Sequence, residues 1–121
     1  MSKLIRLIPN IFYSDIQTGL KLFVETLGFT VVYKDAEAEH PFYIVKRDGV
    51  TIHLIEDAVF AVKDRPEIRI ETDDIDAFYK EISVKENPHL HPNLSSVKQQ
   101  PWGLQEFALK DKEGTCVIIQ Q

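Results

Sequence analysis

A chain of 121 residues, 44% hydrophobic and 27% charged, is sized for one domain able to bury its own core. Its formal net charge of −5 argues against sequence-independent nucleic-acid binding, which needs clustered Lys and Arg to neutralise phosphates. No apolar run of roughly eighteen residues is present to cross a membrane, and the single Cys116 excludes an internal disulfide.

Cys116 reads as a small strand hydrophobe. The start, Met1-Ser2-Lys3-Leu4-Ile5-Arg6, lacks the apolar centre of a signal peptide, so the expected compartment is a reducing cytoplasm. The acidic balance suits a cationic ligand, or solubility alone.

Along the chain, Leu4 to Phe12 reads as an apolar-rich strand. Ser14-Asp15-Ile16-Gln17 then has capping-box form, with Ser14 as the hydroxyl cap and Gln17 three residues on. Ile16, Leu20, Phe23, Val24 and Leu27 follow at helical spacing, and Gly28 stops the helix. Phe29–Asp35 is the next strand, and Asp48-Gly49 is a two-residue hairpin signal joining Phe42–Arg47 to Val50–Glu56. In that last strand Val50, Ile52 and Leu54 fall on one face, and Thr51, His53 and Ile55 on the other.

The same order then recurs. Ile68 to Thr72 precedes Asp73-Asp74-Ile75, whose Ile75, Phe78, Tyr79 and Ile82 form a second helical stripe. Lys85 to Ser95, with Pro88 and Pro92, reads as a surface loop on the rim of a groove, and Ser96–Gln100 as a weak strand. Gln100-Pro101-Trp102-Gly103 is a corner, stiff at the proline and permissive at the glycine, which holds the only Trp at a defined spot. Glu113-Gly114 finally joins Leu104–Lys110 to Thr115–Gln120.

Each half therefore reads β-α-β-β-β. The predicted fold is α+β: one domain over residues 1–121 built of two tandem βαβββ modules, about 1–60 and 61–121. Their curved mixed sheets would enclose a concave groove, with apolar sides facing the helices and a more mixed concave side.

Leu27-Gly28-Phe29, Arg47-Asp48-Gly49-Val50-Thr51 and Gln100-Pro101-Trp102-Gly103 through Asp111 resemble the glyoxalase/bleomycin-resistance/dioxygenase superfamily, in particular its bleomycin-resistance branch. The resemblance implies paired βαβββ modules, homodimers and ligand grooves at the dimer interface. Enzymes of that superfamily hold a divalent ion with four side chains, one from each equivalent strand position. Carried over, those positions are Ile8 and Glu67, seven residues before each helix-start Asp, and His53 and Ile118, four residues after each hairpin Gly. Two of the four are aliphatic and cannot coordinate, so no metal, no cofactor and no catalytic residue is expected. His89 and His91 read as a solvated loop pair, and Ser95, Ser96 and Cys116 show no triad signature.

What remains is a groove that binds a small molecule by shape and stacking. Positions matching the aromatics that sandwich a flat ligand in the branch are Tyr33, Phe42 and Trp102, although Tyr33 and Phe42 read equally as ordinary sheet packing. His53 is either a titratable groove residue partnered by Glu67 or a hydrogen-bonded filler of a strand face. Arg69 stands where the branch tends to place an aromatic and favours a carboxylate over a polycation. The ligand-binding set is thus Tyr33, Phe42, His53, Glu67, Arg69 and Trp102, serving a metal-independent binding protein for an aromatic or cationic ligand. The alternative is a metal-dependent lyase, isomerase or dioxygenase using His53, Glu67 and recruited groups.

Overall fold

The computed structural model of the protein describes residues 2–84 and 89–121. Its elements are β1 (Asn10–Tyr13), α1 (Ile16–Leu20), β2 (Thr30–Asp35), β3 (Phe42–Arg47), β4 (Val50–Glu56), α2 (Ala58–Ala61), β5 (Glu67–Glu71), α3 (Ile75–Ser83), β6 (Lys98–Gln99), β7 (Gln105–Lys110) and β8 (Cys116–Gln120). Two four-stranded sheets result, in the orders β1-β4-β3-β2 and β5-β8-β7-β6. In each, the first strand runs parallel to the last and the other pairings are antiparallel. This is the predicted α+β arrangement of mixed sheets, with the same topology in both halves.

Strand alternation divides each sheet into two faces. The face turned to the helices carries Ile11, Tyr13, Tyr43, Val45, Ile52 and Leu54 in the first sheet and Phe107, Leu109, Val117 and Ile119 in the second. These join Leu22, Phe23 and Leu27 and Ile75 and Ile82 in one buried cluster, so both sheets press their helix sides into a shared core. Burial of this apolar surface is what holds the halves together.

Local structure departs from the sequence expectation at several points, each with a reason. The first strand is short, because residues 2–9 form no ladder and Leu4, Ile5 and Leu7 lie almost wholly exposed. The cap of α1 is Asp15, not Ser14: the Asp15 carboxylate accepts the Gln17 N–H at 3.0 Å. The Ser14 and Asp15 N–H groups instead donate to the Glu113 carboxylate, at 2.7 and 3.0 Å. Beyond Leu20 the helix widens to a π-helical stretch, Lys21–Thr26, in which Leu27 N–H reaches back to Leu22 O. The wider turn brings Leu22, absent from a strict 3.6-residue stripe, into the core. Gly28 ends it as expected, at a φ of 75° that a side chain resists.

The second hairpin is not a two-residue turn. Lys110 pairs with Cys116, leaving residues 111–115 as the connection. Asp111 organises it, its Oδ1 accepting the N–H groups of Glu113 and Thr115 and its Oδ2 the Tyr13 hydroxyl at 2.8 Å. Of the loop expected over 85–95, Lys85 to Pro88 lie outside the described residues. The remainder runs along β7: Leu90 bridges Leu109, and Ala108 N–H donates to Leu94 O. His89 is not a solvated loop residue, since its Nδ1 lies 2.8 Å from the Thr26 hydroxyl and burial lowers its pKa.

Candidate functional site

The faces turned away from the core carry the candidate residues. In the first sheet the register sets Asn10, His53, Ile44 and Tyr33 in one row, and Phe12, Ile55 and Phe42 in the next. Tyr33 reaches this face through a β-bulge. Pairing passes from Val31 with Val45 to Tyr33 with Ile44, leaving Val32 as the extra residue. Without it, Tyr33 would stand opposite the core residue Tyr43, on the wrong side of the sheet.

The result is a run of rings. Tyr33 and Phe42 lie 5.8 Å apart between centroids, and Phe42 meets His53 edge to face at 5.1 Å. At the other end Phe12 packs on Phe60 at 5.2 Å. Phe60 is brought there by α2, an element absent from the sequence reading, whose start is capped by Asp57 accepting the Val59 and Phe60 N–H groups. Tyr33 and Phe60 each keep about half their surface exposed, at 50% and 51%. Such edge-to-face and tilted pairs are the preferred aromatic geometries and leave ring faces for a guest.

The second sheet's open face is polar. Its rows are Glu67, Cys116 and Lys110; Arg69, Ile118 and Ala108; and Glu71, Gln120 and Glu106. Glu106 is 2% exposed, and one oxygen, Oε2, accepts from Arg69 Nη1 at 2.8 Å and from Trp102 Nε1 at 3.0 Å. Arg69 Nη1 also donates to Gln120 Oε1 at 3.1 Å. A buried carboxylate needs such charge-assisted partners, and here they fix the indole and the guanidinium to one point. Trp102 nevertheless remains 61% exposed. Its corner is held by Gln100 N–H to Leu104 O and Gly103 N–H to Gln100 O, with Gly103 at a φ of 97°.

Of the six residues expected to bind ligand, Tyr33, Phe42 and His53 thus come together on one sheet, and Arg69 and Trp102 on the other through Glu106. Glu67 does not pair with His53. It stands opposite Cys116, where burial first and the Glu67 charge second push the thiol pKa up, while the partner of His53 is the Phe42 ring. Sequence reasoning left Phe12, Ile44, Ile55, Phe60 and Glu106 out of the binding set, although it did place Ile55 on the face of His53. The alternation of β1, β3 and β4 was a usable signal for the first three.

The four positions equivalent to metal ligands do not fit an ion. Ile118 sits beside Arg69, and Ile8 offers no donor. Among the described residues no three His, Cys, Asp or Glu side chains cluster closely enough to hold one. An open pocket of about 590 Å³ lies beside α3 and includes none of the six; there Arg47 bridges to Glu81 at 2.7 Å and packs over Phe78. The candidate residues therefore lie on two sheet faces turned away from the shared core.

Comparison with known proteins agrees with this architecture. Bleomycin resistance proteins of Geobacillus stearothermophilus and Staphylococcus aureus are 28% identical to the chain over 131 aligned positions, covering 94% of each partner. The bleomycin-binding protein of bleomycin-producing Streptomyces verticillus, solved with copper(II)-bleomycin, superposes with a TM-score of 0.74 at 26% identity, over 98% of this chain and 97% of that one. A second bleomycin-binding protein, complexed with bleomycin, gives 0.73 at 23% identity over 98% of both chains. A family model described as glyoxalase superfamily protein matches residues 3–119. On that match and this topology, the chain belongs to the glyoxalase superfamily.

Proposed function

We propose that the protein is a metal-independent binding protein that sequesters a flat aromatic ligand, in the manner of a bleomycin resistance protein, within a homodimer. The observation that carries this reading is the ring run Tyr33–Phe42–His53 on one open face, together with a half-exposed Trp102 pinned by Glu106 on the other. Exposed aromatics fixed in position are costly on a free surface and are what a stacking site requires. Both faces point away from the shared core, so a single chain offers one wall at a time. A second copy supplies the opposing wall, and the exposed Leu4, Ile5 and Leu7 supply apolar surface for that pairing. The site works by stacking and exclusion of water, with no covalent step, and protection is stoichiometric. The reading places the protein in the cytoplasm, where Cys116 stays reduced.

Bleomycin is the first ligand to test, because relatives matching along nearly the whole chain carry its name. Metal-free bleomycin titrated into the protein should change the emission of the single Trp. Trp102→Ala should weaken binding measured by calorimetry by about 1–3 kcal/mol, the range of ring stacking on an aromatic platform. If neither bleomycin nor any other flat ligand produces heat or an emission change, the reading fails.

A further inference from the structure

We infer that the ligand carries an anionic group on the ring that stacks against Trp102, a carboxylate or a group of like geometry, and that Arg69 grips it through its Nε–Nη2 edge. The inference rests on the stacking site proposed above and narrows its ligand class.

A guanidinium has five N–H donors in a planar fork. Arg69 commits Nη1 to Glu106 Oε2 and Gln120 Oε1. Nε and Nη2 have no protein partner among the described residues, and the side chain is 45% exposed. The edge left open is one that accepts a carboxylate through two parallel hydrogen bonds. Its placement relative to the indole is fixed as well. Arg69 Nη1 and Trp102 Nε1 bind the same oxygen, at 2.8 and 3.0 Å, so the guanidinium and the indole edge meet at one carboxylate. A guest ring lying on Trp102 brings a substituent at its rim to that fork.

The opposing argument is charge. The chain is acidic overall, and Glu67 and Glu71 flank Arg69 on the same face. Arg69 itself neutralises Glu106, and Lys98, paired with Glu106, and Lys110, paired with Cys116, share that face and offset Glu67 and Glu71. The hydrogen-bond count then decides. A cationic group docked at the fork would cover its donors while offering them no acceptor, and groups left unpaired in a complex are penalised more heavily than a distant screened charge rewards. An anion satisfies both nitrogens. Glu106 is therefore a positioning residue, and Arg69 the one that reads the charge of the ligand.

The test compares three probes of one ring system by calorimetry at low salt: 2-naphthoate, 2-naphthylmethanol and 2-naphthylmethylammonium. The carboxylate should bind at least ten-fold tighter than the ammonium, with the alcohol between them. Arg69→Gln should abolish that ranking without abolishing binding. Arg69→Lys, a point charge without the fork, should recover only part of it. Trp102→Ala should weaken all three probes together. An ammonium or alcohol probe that binds as tightly as the carboxylate overturns the inference, as does a ranking that survives Arg69→Gln in protein with an unchanged circular dichroism spectrum. If flat cations alone bind, only the charge assignment is lost. If no probe and no bleomycin binds, the stacking site is lost with it.

Discussion

Tyr13 shows how far a single side chain reaches in this fold. Its ring is fully buried, and its hydroxyl donates to Asp111 across 98 residues of sequence. Burial in the first place, and the nearby Asp111 charge in the second, hold the phenol protonated far above its usual pKa. Tyr13→Phe removes the donor and leaves Asp111 Oδ2 unpartnered, while Oδ1 keeps both turn N–H groups. An orphaned buried acceptor costs about 1–3 kcal/mol, and urea unfolding should show a loss in that range; an unchanged midpoint would mean the contact is energetically empty. Residues of this kind are illegible in sequence, because the pairing of Tyr13 with Asp111 exists only once both halves are in place. Glu106 was hidden for a related reason: its bond to Arg69 forms only when β5 and β7 flank β8 in the second sheet. Trp102 was legible, since the proline and glycine beside it constrain the backbone locally whatever the rest of the chain does.

At the scale of elements, sequence reading succeeded where a local rule dominated and failed where register did. The strands Phe42–Arg47 and Val50–Glu56 are found as expected because Asp48-Gly49 fixes both ends of the hairpin, with Asp48 at a φ of 51°. The bulge at Val32 leaves no mark in composition, yet it alone decides that Tyr33 faces outward. The π-helical stretch likewise shifts burial onto Leu22 against the expected period. Gly19, inside α1, is a further position where packing overrides propensity. A methyl group there would meet Tyr13 Cζ at 2.8 Å, and that ring is anchored through Asp111 and cannot retreat. Alanine would gain about 1 kcal/mol of helix propensity. Overpacking of about 1–3 kcal/mol outweighs it, so Gly19→Ala should lower the thermal midpoint. A rise in that midpoint would show the helix free to shift.

For the whole molecule, the two open faces and the arm over residues 2–9 belong to one argument. Leu4, Ile5 and Leu7 are exposed at 104%, 85% and 91%, an apolar strip with no cover in its own chain among the described residues. If a second copy covers it, light scattering should give a dimer mass for the native protein. Replacing the three by serine should give a monomer that no longer binds aromatic ligands. A native protein that stays monomeric at micromolar concentration would remove the two-walled groove. The βαβββ repeat and the pairing of like elements were readable from the order of strand, helix and hairpin signals. The outward face of β4 was readable too, from its alternation of apolar and mixed positions, whereas that of β2 depended on the bulge.

The contact between Glu113 and the start of α1 also bears on synthesis. The first helix presents its Ser14 and Asp15 N–H groups to a carboxylate that the ribosome adds nearly a hundred residues later. Until that last hairpin emerges, the leading half of the nascent polypeptide has an unfinished helix entrance and an unshielded apolar flank. The entrance of the first helix is thus completed by a residue of the second module, so the first module alone lacks both of these hydrogen bonds.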